Sequence, residues 1–107
     1  MTFKVGEVWK IKLYPDRGRE QDGLRPCLIV SPNSMNKALE TVIVAPLTTS
    51  SKNWPTRINV TIKNTESQVC IEHISSVSKE RFIEKISTID DLELVEVRQV
   101  LQAVFSE

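Results

Sequence analysis

The sequence predicts a mainly β fold: a small, mostly antiparallel sheet or partly closed barrel with one C-terminal helix. Two observations predict it. Five or six short runs either alternate apolar with polar residues or form unbroken β-branched stretches, and turn-rich segments separate them. A single amphipathic stripe at helical spacing follows them near the C-terminus.

Taken in order, Glu7–Leu13 places Trp9, Ile11 and Leu13 on one face and Lys10 and Lys12 on the other, as a half-buried strand does. A polar loop, 14–24, comes next. Pro26–Ser31 reads as a fully buried strand, because its apolar run Cys27-Leu28-Ile29-Val30 is unbroken. Ser31–Ala38 is expected to form a short helical turn, with Ser31 as N-cap and Pro32 at the first helical position. Thr41–Leu47 is a central strand that Pro46 is expected to end. The hydroxyl-rich loop Thr48–Pro55 leads into Thr56–Ile62, where Ile58, Val60 and Ile62 point inward. Lys63–Ser67 is turn-like, Gln68–Ile74 a further strand, and Phe82–Ile86 a last short one after a polar connection. Asp90 caps a helix from about Asp91 to Phe105, with Glu93 completing a capping box and Leu94, Val97, Leu101 and Val104 on one stripe.

Residues 1–107 are expected to form one domain, since 40% hydrophobic residues furnish one core but not two. Fourteen Lys and Arg balance fourteen Asp and Glu, yet the balance is uneven along the chain. Residues 1–70 hold ten basic and six acidic side chains, and 71–107 hold four and eight. A basic front suits a polyanionic partner, whereas the acidic end also fits a solvated helix face. Cys27 and Cys70 lie in or beside apolar runs, as buried free thiols do, and with the lone His73 they do not have metal-ligand spacing. No signal core or membrane-spanning run is present, so a cytoplasmic, reducing location is expected, with no membrane partner.

The densest chemistry is the loop Arg17-Gly18-Arg19-Glu20-Gln21-Asp22-Gly23-Leu24-Arg25-Pro26. Crowding three arginines, carboxylates and two glycines there costs stability, which points to function, although a solvated hairpin loop has the same composition.

Set in order, the pieces resemble the MazF/PemK family of bacterial toxin ribonucleases. The resemblance rests on Gly6-Glu7-Val8-Trp9, on Gly18–Pro26 with its strand, on Ser31-Pro32 followed by Asn36, on Val44-Ala45-Pro46-Leu47-Thr48, and on Glu72-His73-Ile74 near a strand end. It covers nearly the whole chain. It implies an SH3-like, partly closed barrel of the CcdB/PemK type that forms a homodimer and cuts single-stranded RNA at a short preferred sequence without metal or other cofactor. It also implies a type II toxin-antitoxin system, with a cognate antitoxin lying over the RNA groove and DNA contacted only through that antitoxin. Arg25 and Thr48 are the matched positions most tied to cleavage. The chain departs from the family pattern at Arg19, where His is common, at His73, where Gln is usual, and at Ser75, where Arg often follows. Those departures bear on proton transfer and on the preferred RNA sequence.

The groups themselves suit this chemistry. The guanidinium of Arg25 stays charged and its fork matches two phosphate oxygens, though a pairing with Glu20 or Asp22 would equally steady the loop. Thr48 can donate a hydroxyl from a fixed rotamer, or bond to nearby backbone as turn hydroxyls do. Glu20 is a candidate general base, or an organiser of Arg19 and Arg25. Arg17, Arg19, Gln21 and Thr49 are candidates for holding RNA, with Lys10, Lys12 and Lys52 extending the basic track. Tyr14 and Trp54 could stack on bases, Trp54 being otherwise a core or dimer aromatic. Glu72 could read a base edge or accept a proton, and His73 is of the residue type most used for acid–base work near neutrality while also suiting a structural role. The acidic terminal helix would serve packing and dimerisation. Two other readings stay open: a CcdB-like inhibitor of DNA gyrase, whose Trp-Gly-Ile finish is absent from Val104-Phe105-Ser106-Glu107, and a catalytically inactive regulatory binder.

Overall fold

The computed structural model describes residues 1–13 and 23–106. Arg17, Arg19, Glu20 and Gln21, together with Tyr14 and Asp22, lie outside the described residues. Among the described residues there are seven strands and two helices: β1 (Glu7–Lys12), β2 (Leu24–Ile29), α1 (Asn33–Ala38), β3 (Thr41–Thr48), β4 (Arg57–Ile62), β5 (Thr65–Cys70), β6 (Ser75–Ser78), β7 (Phe82–Thr88) and α2 (Asp91–Val104). Short 3₁₀ turns at Ile71–His73 and Lys79–Arg81 flank β6. These strands pair antiparallel, in the order β4-β5-β3-β2-β1-β7, with β6 also on β3. The mainly β class with one C-terminal helix is as the sequence predicts.

The pivot is β3. One of its edges pairs with β2 through Cys27↔Pro46, while the other pairs first with β6 over Thr41–Val44 and then with β5 at Leu47 and Thr48. Pro46 therefore does not end the strand. It sits where β3 changes partner, a place where a residue without an N–H forfeits no ladder bond to either neighbour. The chain that runs along that edge has more residues to place than the edge can pair, so between β5 and β6 it puckers into the 3₁₀ turn Ile71–His73. Glu72 and His73 thus lie in this turn rather than in a strand reaching Ile74.

Burial explains why this much apolar sequence goes further than one core. Successive residues of the curled sheet serve opposite faces: Val8, Leu28, Ala45 and Leu47 join Ile58, Val60, Val69 and Val97 on one face, and Trp9, Cys27, Ile29, Val42 and Val44 join Phe3, Val77 and Phe82 on the other. Phe3, Trp9 and Phe82 stack with ring centroids 4.7–5.6 Å apart. The expectation of a single core is corrected accordingly.

Helix α2 covers the first face. Asp90 accepts from the Glu93 amide at 2.7 Å and Glu93 Oε1 accepts from the Asp90 amide at 3.0 Å, so the capping box forms. The second oxygen of Glu93 accepts from the Thr61 amide at 3.0 Å, which ties the edge strand β4 to the helix. Val97 is fully buried and Leu94 and Leu101 are half-buried, whereas Val104 is exposed at the frayed end of the stripe. Ser31 does not cap α1. Pro32 is its N-cap; the Ser31 hydroxyl oxygen instead accepts from the Ile43 amide at 3.0 Å, which ties the end of β2 to β3, and its C=O accepts from Asn36 Nδ2 at 2.9 Å. The β4–β5 turn contracts to Lys63-Asn64, both at positive φ, the geometry that matches the twist of a two-residue hairpin. Gly6, at φ +91°, lets the chain enter β1 while its amide and carbonyl bond Ile29 and Ile89. Among the described residues no helix is long and apolar enough to cross a membrane.

Candidate active site

A groove of about 760 Å³ opens on the sheet face opposite α2. Its floor is built by the inward residues Cys27, Val44, Pro46, Cys70 and Val77, supplied by four strands. Around that floor stand the cations Arg25, Lys52, Arg57 and Arg81, together with His73 and the hydroxyls of Thr48, Ser50, Ser75, Ser76 and Ser78. Among the described residues no carboxylate lines it. Such a lining attracts anions along its whole length.

Arg25 rises from β2, opposite Ile11, and its Nη2 donates to the Leu47 carbonyl at 3.4 Å. That contact sets the guanidinium beside Thr48, the next residue. Thr48 closes β3, and its Oγ1 accepts from the Ser50 amide at 3.1 Å; the hydroxyl proton stays available to donate. Two residues distant in sequence are thus neighbours because β2 and β3 pair. Thr49 is exposed and faces a smaller, mainly apolar hollow of about 290 Å³ that Leu47, Ile62 and Ile86 line, not the groove.

Glu72 and His73 enter from the 3₁₀ turn. Glu72 is held on both oxygens: Thr56 Oγ1 donates to Oε1 at 2.6 Å and Arg57 Nε donates to Oε2 at 2.7 Å. Burial pushes its pKa up, but the Thr56 and backbone hydrogen bonds and the Arg57 bond and charge outweigh burial and hold it below the usual carboxylate range. Glu72 is therefore an ionised anchor for Arg57. His73 has its Nε2 3.8 Å from Glu72 Oε2, and its side chain, 64% exposed, faces the groove.

Several groove residues escape sequence reasoning. Arg57 has a side chain only 7% exposed, donates through Nη1 to Gln68 Oε1 at 3.3 Å, and lies 4.6 Å from the centre of the Trp54 ring. The signal was the alternation of β4: with Ile58, Val60 and Ile62 inward, Arg57 and Asn59 must face the other side. Arg81 donates to the Lys12 and Leu13 carbonyls at 3.3 and 3.2 Å, and nothing in its sequence neighbourhood marks it. Trp54, which the sequence offers for stacking, is not in the core: it is 48% exposed beside the groove with Lys52 and Arg57 against its ring. Lys10 pairs with Glu84 at 3.1 Å, and neither it nor Lys12 reaches the groove.

Cys27 and Cys70 are free and buried, as expected. Burial pushes the Cys27 thiol up to about 12 despite the nearby Arg25 charge, and raises Cys70 likewise against Arg57. Protonated thiols of this kind are inert packing groups.

The chain is 32% identical over 108 residues to the endoribonuclease EndoA of Bacillus subtilis (strain 168), covering 95% of this chain and 93% of that protein. It is 31% identical over 105 residues to the endoribonuclease MazF of Staphylococcus epidermidis, covering 92% and 88%. Its fold matches the crystal structure of MazF from Deinococcus radiodurans with a TM-score of 0.81 at 24% identity, over 100% of this chain and 99% of that one. It also matches a mycobacterial endoribonuclease in complex with its cognate antitoxin, with a TM-score of 0.82 at 20% identity over 98% and 96%. Residues 4–105 match the family described as PemK-like, MazF-like toxin of type II toxin-antitoxin system, and the chain belongs to that family.

Proposed function

We propose that this chain is the toxin of a type II toxin-antitoxin pair and acts as an endoribonuclease on single-stranded RNA, using the substrate's own 2′-hydroxyl and no metal. The observation that carries the reading is the groove in which Arg25 and Thr48 adjoin within a lining that is cationic among the described residues. The 2′-oxygen attacks the adjacent phosphorus as its proton leaves, the bond from phosphorus to the 5′-oxygen breaks, and that oxygen takes up a proton. The products are a 2′,3′-cyclic phosphate and a 5′-hydroxyl end. Arg25 stabilises the charge that gathers on the non-bridging oxygens, and Thr48 donates to one of them. Lys52, Arg57 and Arg81 hold flanking phosphates, with His73 and Trp54 contacting the RNA beside them. Glu72 orients Arg57. Glu20 is the candidate proton acceptor, or an organiser of Arg19 and Arg25, and Arg17, Arg19, Gln21 and Thr49 are the candidates for holding RNA.

The working unit is a homodimer of one-domain chains in the cytoplasm. Its partner is a cognate antitoxin, through which alone it meets DNA. Arg25, Lys52, Arg57 and Arg81 give an antitoxin segment rich in carboxylates the same footing as RNA phosphate.

The test is incubation with a long single-stranded RNA in EDTA, followed by mapping of 5′-hydroxyl ends. The expected result is cleavage at one short sequence. Arg25→Ala should lower kcat by about 100-fold or more while the fold is retained. Intact RNA with the wild-type protein, or equal cleavage by Arg25→Ala, overturns the reading.

A further inference from the structure

Gln68 has no part in the chemistry above, yet it is the most fully bonded side chain beside the groove. It lies on β5 opposite both Thr48 on β3 and Asn59 on β4, and it is buried. Its Oε1 accepts from the Lys52 amide at 3.0 Å and from Arg57 Nη1 at 3.3 Å. Its Nε2 donates to the Lys52 carbonyl at 3.1 Å, to Asn59 Oδ1 at 3.0 Å and to Ser51 Oγ at 3.3 Å. The amide thus engages both backbone groups of Lys52, as a neighbouring strand would, in a segment that has no regular structure of its own. A buried amide pinning an exposed loop at this many points is a fixed post, not a surface contact.

What the post holds is Trp54. Its ring centre lies 4.6 Å from the Arg57 guanidinium and 5.7 Å from Lys52 Nζ, and those are two of the residues that Gln68 grips. About half of Trp54 remains open to solvent, next to a groove whose cations suit phosphate. An aromatic ring fixed beside a phosphate track is a stacking platform for a base of the same strand.

We propose that Gln68, Arg57 and Trp54 form a nucleobase subsite, in which Trp54 stacks on a base flanking the cut and Gln68 is the positioning residue that holds the platform in place. The inference rests on the endoribonuclease reading for its substrate. Gln68 acts through Trp54, so removing either should cost the same interaction.

The test is a double-mutant cycle on Trp54→Ala, Gln68→Leu and the double variant. It is read by steady-state cleavage of an RNA that the wild type cuts, and by titration with a short 2′-O-methyl oligoribonucleotide of that sequence, which cannot be cut. Trp54→Ala should weaken oligonucleotide binding about tenfold, a typical effect of losing one stacked base. Gln68→Leu should weaken it comparably, the double variant no further, and the loss should fall on KM rather than kcat. Asn59→Ala, which removes one bond to Gln68 from the surface, should give a smaller loss in the same parameter and provides the reading if Gln68→Leu does not fold. Additive losses in the cycle, or losses confined to kcat, overturn the subsite while leaving the ribonuclease reading intact. A wild type that binds the oligonucleotide without cutting RNA overturns the ribonuclease reading, and the cycle still decides the subsite. A wild type that does neither overturns both.

Discussion

Two corners of the molecule use one device to different ends. At the start of β1, Glu7 Oε1 accepts from Trp9 Nε1 at 2.9 Å and from the Lys4 amide at 3.1 Å, while Oε2 lies 3.3 Å from Lys85 Nζ. At the 3₁₀ turn, Glu72 takes the Thr56 hydroxyl and the Arg57 guanidinium. Burial raises both pKa values, and in both corners the hydrogen bonds and the neighbouring cation more than reverse it. The Glu7 corner joins the N-terminal segment, β1 and β7 and does not line the groove. The Glu72 corner points its cation into the groove. A carboxylate held ionised is therefore not itself the mark of a site; the direction in which its partner faces is what separates the two.

The largest expected way to break the symmetry is Arg57→Ala. It strands Glu72 without its cation and opens the packing under Trp54, so stability should fall by about 3 kcal/mol, as when one half of a largely buried ion pair is removed. It also removes a groove cation, so RNA binding should weaken even after correction for the folded fraction. Urea midpoints and oligonucleotide titration measure the two effects separately. A loss of stability with unaltered binding would make the Glu72 corner structural, like its counterpart.

A smaller effect is expected at the other corner. Glu7→Gln keeps an acceptor for Trp9 and Lys4 but gives up the charge opposite Lys85, so stability should fall by about 1 kcal/mol. Cleavage per folded molecule should equal that of the wild type. Slower cleavage by this variant would mean that the β1–β7 corner communicates with the groove.

The two corners also mark how far the sequence could be read. The alternation in β1 places Trp9 and Ile11 inside, and the Asp90–Glu93 spacing announces the capping box, because both patterns are local. β6 is polar, Ser75-Ser76-Val77-Ser78, and becomes a strand only because the edge of β3 is there to pair with it. Pro46 reads as a terminator, since nothing nearby in sequence reveals the change of partner that accommodates it. In the site, Arg25, Thr48 and His73 converge on one groove, but Arg57 and Gln68 acquire their parts through contacts 11 to 16 residues apart in sequence. An amide in a strand carries no signal of its own. Its five bonds appear only when β4, β5 and the Thr48–Pro55 loop come together.

The smallest and most discriminating contrast is in pH. Both carboxylates have folded pKa values below the ordinary 4.5, so each contributes stability that is present above the unfolded value and is lost as pH falls through the folded one. The difference in urea midpoint between wild type and Glu7→Gln, and between wild type and Glu72→Gln, should hold level near neutrality and shrink once the pH drops below 4.5. A level difference at Glu72 beside a sloping one at Glu7 would show that Thr56 and Arg57 bind the amide as well as they bind the carboxylate. The charge of Glu72 would then be dispensable to the position of Arg57, and the groove cation would owe its place to Gln68 instead.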